Sequence, residues 1–200
     1  MIVDISSNNG IIDFTTLANH VSELFIRVTM GYGTQDKLSK SNAQGATAAG
    51  IPISYYHFAY PHSNTDPIED STKQANYFLS VINTLPAYQD LVIDCEPFDA
   101  QGTDTDYTQE QYAQWLSNFL LVVKQATGKD MIIYTYADYL NRHLPDNHKF
   151  GAYELWIASY ADVLDPTVPK GWTNWYMWQY TETGLVPGIE GHVDISKVNV

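Results

Sequence analysis

The chain has 200 residues, 44% of them hydrophobic, enough to bury one substantial core, and its 23 acidic and 10 basic side chains give a formal charge of −13. That charge excludes a nucleic-acid backbone or an anionic membrane as the main partner, because phosphates would be repelled. The single cysteine, Cys95, excludes a disulfide within the chain and a cysteine zinc cluster.

No run approaches the roughly 18 apolar residues of a membrane span. The terminus MIVDISSNNG lacks the basic, apolar and small-residue zones of a signal peptide, so synthesis without a cleaved export signal is expected. In chain order, runs rich in β-branched and aromatic residues predict strands at IVDI (2–5), LFIRVTM (24–30), ISYYHFAY (53–60), LVIDCE (91–96), MIIYTY (131–136), LWIASY (155–160) and WYMWQY (175–180). Helices are expected over 13–20, 39–49, 67–85 and 108–127. The third opens with Asp66 as cap and Pro67 at its first position, with acids at 69 and 70 as the helix dipole prefers. The fourth has a capping box from Thr108 to Gln111. An apolar stripe follows at Tyr112, Trp115, Leu116, Phe119 and Leu120, with a stop at Gly128.

Nearly continuous apolar strands alternating with helices imply a parallel sheet buried on both faces. A full eightfold barrel takes about 250 residues, so several crossovers here must be short or missing, notably after residue 150. The expectation is an α/β fold, an irregular, flattened (β/α) barrel of about eight strands with some short or missing helices, in a single domain over 1–200.

In LVIDCEP, Asp94 and Glu96 stand two apart at a strand's carboxyl end, so both point to one face and Cys95 to the other. Active sites assemble at that end of a parallel barrel, and buried acids are costly unless solvated, paired or used. A catalytic pair and a salt-bridged structural pair are both open at this point. Asp4 ends the first strand and Asp194 ends GHVDIS; if the barrel closes, both join the same rim. Four acids with few basic residues nearby in sequence is an arrangement that drives pKa values apart.

Other polar residues carry blander readings. Cys95 is expected as a small buried residue facing the helices, and His57 as a hydrogen-bonded barrel histidine. His62, His143, His148 and His192 show no metal spacing, and Asp99, Asp104 and Asp106 lack the full calcium-loop pattern. GYGT (31–34) lacks the lysine and helix of a phosphate loop and reads as a turn. Trp172, Trp175, Trp178 and Tyr180 form the densest aromatic cluster, with Trp178 and Tyr180 expected to split between barrel interior and groove.

Five stretches, DISSNNGIIDF (4–14), SYYHFAYP (54–61), VIDCEP (92–97), LWIASY (155–160) and MWQYTETGLVPGIEGHVDIS (177–196), resemble in order and spacing the family 25 glycoside hydrolases, lysozymes of bacteria, phages and some fungi. The resemblance covers essentially the whole chain. It implies an irregular barrel that cleaves the β-1,4 bond between N-acetylmuramic acid and N-acetylglucosamine in peptidoglycan. Glu96 falls at the general acid/base, Asp94 at its partner carboxylate, Asp4 and Asp194 at the other acids of the mouth, and Tyr56 at an aromatic lining the groove. Tyr134, Tyr160, Trp178 and Tyr180 are further candidates for the groove; no metal and no cofactor is expected. One departure is RVTMG (27–31), where Arg27 and Met30 stand in place of a lysine and a glutamate that family members often carry; because the four acids remain, it implies altered groove chemistry rather than lost activity.

On this reading Glu96 stays protonated near neutral pH because Asp94 and the other acids oppose further negative charge. Asp94 then stabilises the developing positive charge, directly or by orienting the substrate's 2-acetamido group, the route favoured here. The expected partner is the peptidoglycan glycan strand, attacked outside the cytoplasmic membrane by a monomer that a phage or secretion assembly delivers. Two rivals are a non-catalytic wall-binding barrel, against which the four acids stand, and a barrel glycosidase on another N-acetylated glycan. Comparing chitin oligomers with peptidoglycan as substrates separates the latter.

Overall fold

A computed structural model describes residues 1–99 and 102–199. In chain order it contains β1 (Ile2–Ile5), α1 (Phe14–Leu17), β2 (Glu23–Met30), β3 (Thr34–Gln35), α2 (Ser39–Ala48), β4 (Ile53–Phe58), α3 (Pro67–Ile82) and β5 (Leu91–Cys95). There follow α4 (Gln109–Thr127), β6 (Ile132–Thr135), α5 (Ala137–His143), β7 (Leu155–Ala158), β8 (Met177–Gly184) and β9 (Val193–Val198). Among the described residues no helix is long and apolar enough to cross a membrane.

The sheet runs β1-β9-β8-β7-β6-β5-β4-β2-β3, and the further pairing of β1 with β2 closes an eight-stranded α/β barrel from which the two-residue β3 hangs as a hairpin. It is irregular in the manner expected: no α-helix joins β7 to β8 or β8 to β9. The sheet is not wholly parallel, however. β9 runs antiparallel to both β1 and β8, because an eight-residue hairpin loop after Gly184 leaves no length for a crossover helix. That reversal puts the start of β9, not its end, at the rim. Asp194, the second residue of the strand, thereby falls in register opposite Asp4.

Local chemistry explains most helix limits. Asp66 accepts the Ile68 and Glu69 amides at 3.0 and 3.1 Å, and Pro67 follows with its φ preset for a helix. Thr108 and Gln111 form the reciprocal box that starts α4, and Gly128 ends it at φ 74°, where other residues are strained. The stripe from Tyr112 to Leu120 is buried against the barrel and α3. Each such large apolar side chain contributes about 1.5–3 kcal/mol. The first helix is only four residues and the third stops before 85. The helix α5 escapes the sequence pattern, because it is one short run directly after an aromatic strand and has no side-chain cap. Gly31 to Gly33 is the turn expected, with Thr34 already pairing to Met30.

Candidate active site

The barrel interior changes character along its axis. Ile2, Phe25, Val92, Ile132, Trp156 and Met177 fill a lower layer. Two residues further along five of those strands, the same inward face carries Asp4, Arg27, Asp94, Tyr134 and Gln179. Strand alternation thus stacks a polar layer on an apolar floor. With Tyr56, Glu96, Asp194 and others, these residues line a cleft of about 170 Å³ at the carboxyl ends of the parallel strands.

The four sequence-predicted acids therefore meet. Asp4 and Asp94 are buried, and Glu96 and Asp194 half-buried at the opening. Burial, chiefly, pushes the Glu96 carboxyl up from 4.5 to about 7; the neighbouring Asp194 charge adds to this and Arg27 opposes it. The sequence reading assigned this effect to the like charge of Asp94 and the other acids. Here loss of solvent comes first, and the leading like charge is Asp194, which the antiparallel β9 delivers. Asp94 is raised well above the usual carboxylate range by burial and then by Glu96. Its Oδ1 meets no hydrogen-bond donor among the described residues. Asp4 is likewise raised by burial and then by Asp194, which stands opposite it in the β1–β9 register, and burial raises Asp194 as well.

Two further residues organise the mouth, and one of them, Gln179, the sequence reading did not place there. Gln179 donates Nε2 to Asp4 Oδ1 at 2.9 Å, and its Oε1 accepts the Tyr134 and Tyr160 hydroxyls at 2.8 and 2.6 Å. Alternation from the inward Met177 was the signal that could have found it. Arg27, expected to alter the chemistry of the groove, supplies a positive charge beside the acids. Its Nε and Nη2 donate to Asp36 Oδ2 at 3.2 and 3.1 Å. Asp36 is itself fixed by the Ser7 and Leu38 amides, each at 2.9 Å. Met30 lies with Arg27 and Lys37 in an adjoining hollow outside the acid cleft.

The candidate groove aromatics divide. Tyr56 and Tyr134 line the cleft, and Tyr160 reaches it through Gln179 and stands 3.4 Å from the Tyr136 hydroxyl. Trp178 does not reach it. Because Met177 and Gln179 point inward, Trp178 points outward, where its Nε1 donates to the Ser159 carbonyl at 2.7 Å and Lys197 Nζ lies 4.2 Å from its ring. Tyr180 packs edge-on against Trp178 and is likewise absent from the cleft, so the expected split between interior and groove does not occur.

Other polar residues are committed elsewhere. The fully buried His57 sits between Thr29 Oγ1 at 2.8 Å and Gln74 Oε1 at 3.1 Å, and burial lowers its pKa to about 4. Asp70 is no solvent-facing dipole acid: it is buried, and its Oδ2 accepts Trp115 Nε1 and Gln74 Nε2, both at 2.7 Å. Cys95 faces the helix layer, its thiol pushed up to about 12 by burial. Asp104 is engaged by His143 Nε2 at 3.1 Å and the Tyr139 hydroxyl.

Comparisons with known proteins agree with this geometry. A family model described as Glycosyl hydrolases family 25 matches residues 3–189. The chain is 32% identical over 206 residues to Lysozyme M1 of Streptomyces globisporus, covering 98% of this chain and 67% of that protein. It is 29% identical to the autolytic lysozyme of Clostridium acetobutylicum over 98% of this chain and 54% of that one. The crystal structure of the bacterial lysozyme from Streptomyces coelicolor superposes with a TM-score of 0.86 at 29% identity, covering 99% of this chain and 91% of that chain. The chain thus spans between about half and two thirds of the length of these two curated relatives.

Proposed function

The chain belongs to family 25 of the glycosyl hydrolases, and on that premise we propose that it is a lysozyme, a muramidase cutting the β-1,4 bond between N-acetylmuramic acid and N-acetylglucosamine, with Glu96 as general acid/base and Asp94 as partner carboxylate. The observation that carries this reading is the position of Glu96. It stands at the opening of a cleft lined by three further acids, with its pKa raised to about 7, so that it holds a proton at neutral pH and can still release it.

In the first step the Glu96 proton passes to the glycosidic oxygen as the bond from that oxygen to the sugar C1 breaks, and the departing sugar leaves as a neutral alcohol. The carbonyl oxygen of the substrate's own 2-acetamido group closes onto C1. Asp94, whose Oδ1 lacks a donor among the described residues, accepts the acetamide N–H, and with Arg27 favouring its charged form it stabilises the positive charge that develops there. Water then opens the cyclic intermediate at C1 and gives its proton back to Glu96. Gln179, bonded to Asp4 and to the Tyr134 and Tyr160 hydroxyls, holds that wall of the cleft in place while Glu96 turns over. Tyr56, Tyr134 and Tyr160 contact the sugar.

The 200 residues act as a single catalytic domain, as a monomer, on wall glycan outside the cytoplasmic membrane, where a lysis or secretion assembly delivers it. Mass analysis of fragments released from purified peptidoglycan tests the assignment. Products with N-acetylmuramic acid at the reducing end are expected from the unaltered chain and none from Glu96→Gln. Reducing-end N-acetylglucosamine, or equal release by both, contradicts it.

A further inference from the structure

A second cleft, of about 500 Å³, lies at the opposite end of the barrel from the acids, where β7 and β8 begin and β9 ends. Its walls include Tyr153, Trp172, Trp175 and Tyr176, with Asn174 and Asn199 between the rings. The mechanism uses none of them. They include two of the four residues of the densest aromatic cluster in the sequence, the two that do not stand on β8.

The polar groups of this cleft are unlike those of the core. Elsewhere the buried Gln74 and Asp70 are saturated with partners. Here Asn199 Nδ2 donates to Asn174 Oδ1 at 2.8 Å and to the Trp175 carbonyl at 3.0 Å, which fixes the two amides as a pair. That leaves the two N–H donors of Asn174 and the amide oxygen of Asn199 open to solvent. The hydroxyls of Tyr153, Tyr176 and Thr173 and the Glu154 carboxylate also make no side-chain hydrogen bond among the described residues. Flat rings beside unused donors and acceptors of both kinds match a ligand with apolar C–H faces rimmed by hydroxyls and amides. No lysine, arginine or histidine lines the cleft, and the chain carries a net charge of −13, so an anion is disfavoured.

We propose that this cleft binds a neutral, N-acetylated oligosaccharide and so holds a stretch of glycan remote from the acid mouth. The aromatic and amide chemistry points to a sugar by itself; the choice of an N-acetylated one rests on the lysozyme reading. A second foothold would raise the residence of the enzyme on an insoluble polymer without changing its action on a short soluble fragment.

The test uses the full chain carrying Glu96→Gln, titrated with the trimer of N-acetylglucosamine while the indole N–H signals of the tryptophans are followed by NMR. Saturable shifts of Trp172 and Trp175 are expected, with the buried Trp115 unmoved. The Trp172 shift is expected to vanish in Trp175→Ala, and both shifts to weaken in Asn199→Ala, a surface change that spares the packing. With Glu96 intact, Asn199→Ala is expected to keep its turnover of a short soluble muroglycan. On sedimented walls its apparent KM should rise roughly threefold to tenfold, the size of a modest lost contact. Stationary Trp172 and Trp175 indoles at millimolar trimer overturn the proposal, as does a shift induced equally by an unrelated peptide. Failure of the lysozyme reading would show separately, as absence of hydrolysis by the unaltered chain.

Discussion

Asp70 and Asp94 are almost equally buried, at 4% and 6% exposed, yet they sit in opposite chemical circumstances. Asp70 lies in the layer between barrel and helices, where a tryptophan N–H and a glutamine N–H point at one of its oxygens. Asp94 lies inside the barrel, one oxygen without a donor among the described residues, facing three more carboxyls and the guanidinium of Arg27. Hydrogen bonds to a carboxylate stabilise its charged form, whereas burial among like charges favours the proton. On the proposed mechanism, a buried acid in this molecule is structural where donors surround it and reactive where they are withheld. The same fold provides both environments on the two faces of its strands.

The contrast can be tested by substitutions of opposite consequence. The largest expected effect is on activity: Glu96→Gln should lower hydrolysis about a thousandfold with the fold intact, the usual size of a lost general acid. Retention of more than a tenth of the rate in a soluble-fragment assay would remove Glu96 from its role. Next comes stability. Asp70→Ala strands the Trp115 and Gln74 donors, and should cost roughly 3 kcal/mol in urea unfolding while leaving the pH profile of activity in place.

Glu96→Gln should do the reverse to stability. A carboxyl whose pKa is raised from 4.5 to about 7 on folding contributes stability that is fully present below 4.5 and lost as pH rises through about 7. The amide variant is therefore expected to unfold at higher urea than the unaltered chain above neutral pH, by roughly 1–3 kcal/mol. The gap should close as pH falls toward 4.5. A variant less stable than the parent at alkaline pH would show that Glu96 is held by partners after all.

The smallest effect belongs to Arg27, whose charge opposes the upward shift of Glu96. Arg27→Gln should move the alkaline limb of kcat/KM upward by about half a unit to one unit, and Arg27→Lys should restore it. An unmoved limb would make Arg27 a purely structural partner of Asp36.

Much of this was legible before any coordinates. The Asp-x-Glu pair on one strand face follows from a period of two, and it needed no tertiary information. The barrel and its missing helices followed from run lengths and residue count. What escaped was set by long-range pairing. The antiparallel return of β9 decides that Asp194 stands opposite Asp4 and beside Glu96, and nothing local in GHVDIS announces direction. Trp178 was misjudged because aromatic density says nothing about facing, whereas the inward Met177 two residues before Gln179 does. Asp70 looked like an ordinary helix-dipole acid because Trp115, which engages it, is 45 residues away.

The central claim, that burial among acids leaves Glu96 protonated at neutral pH, is most directly tested by titrating its side-chain carboxyl carbon by NMR, assigned through the loss of its signal in Glu96→Gln. A midpoint near 7, coinciding with the alkaline limb of kcat/KM, is the predicted result. A midpoint at the ordinary glutamate value of 4.5, with activity still falling near neutrality, would contradict it.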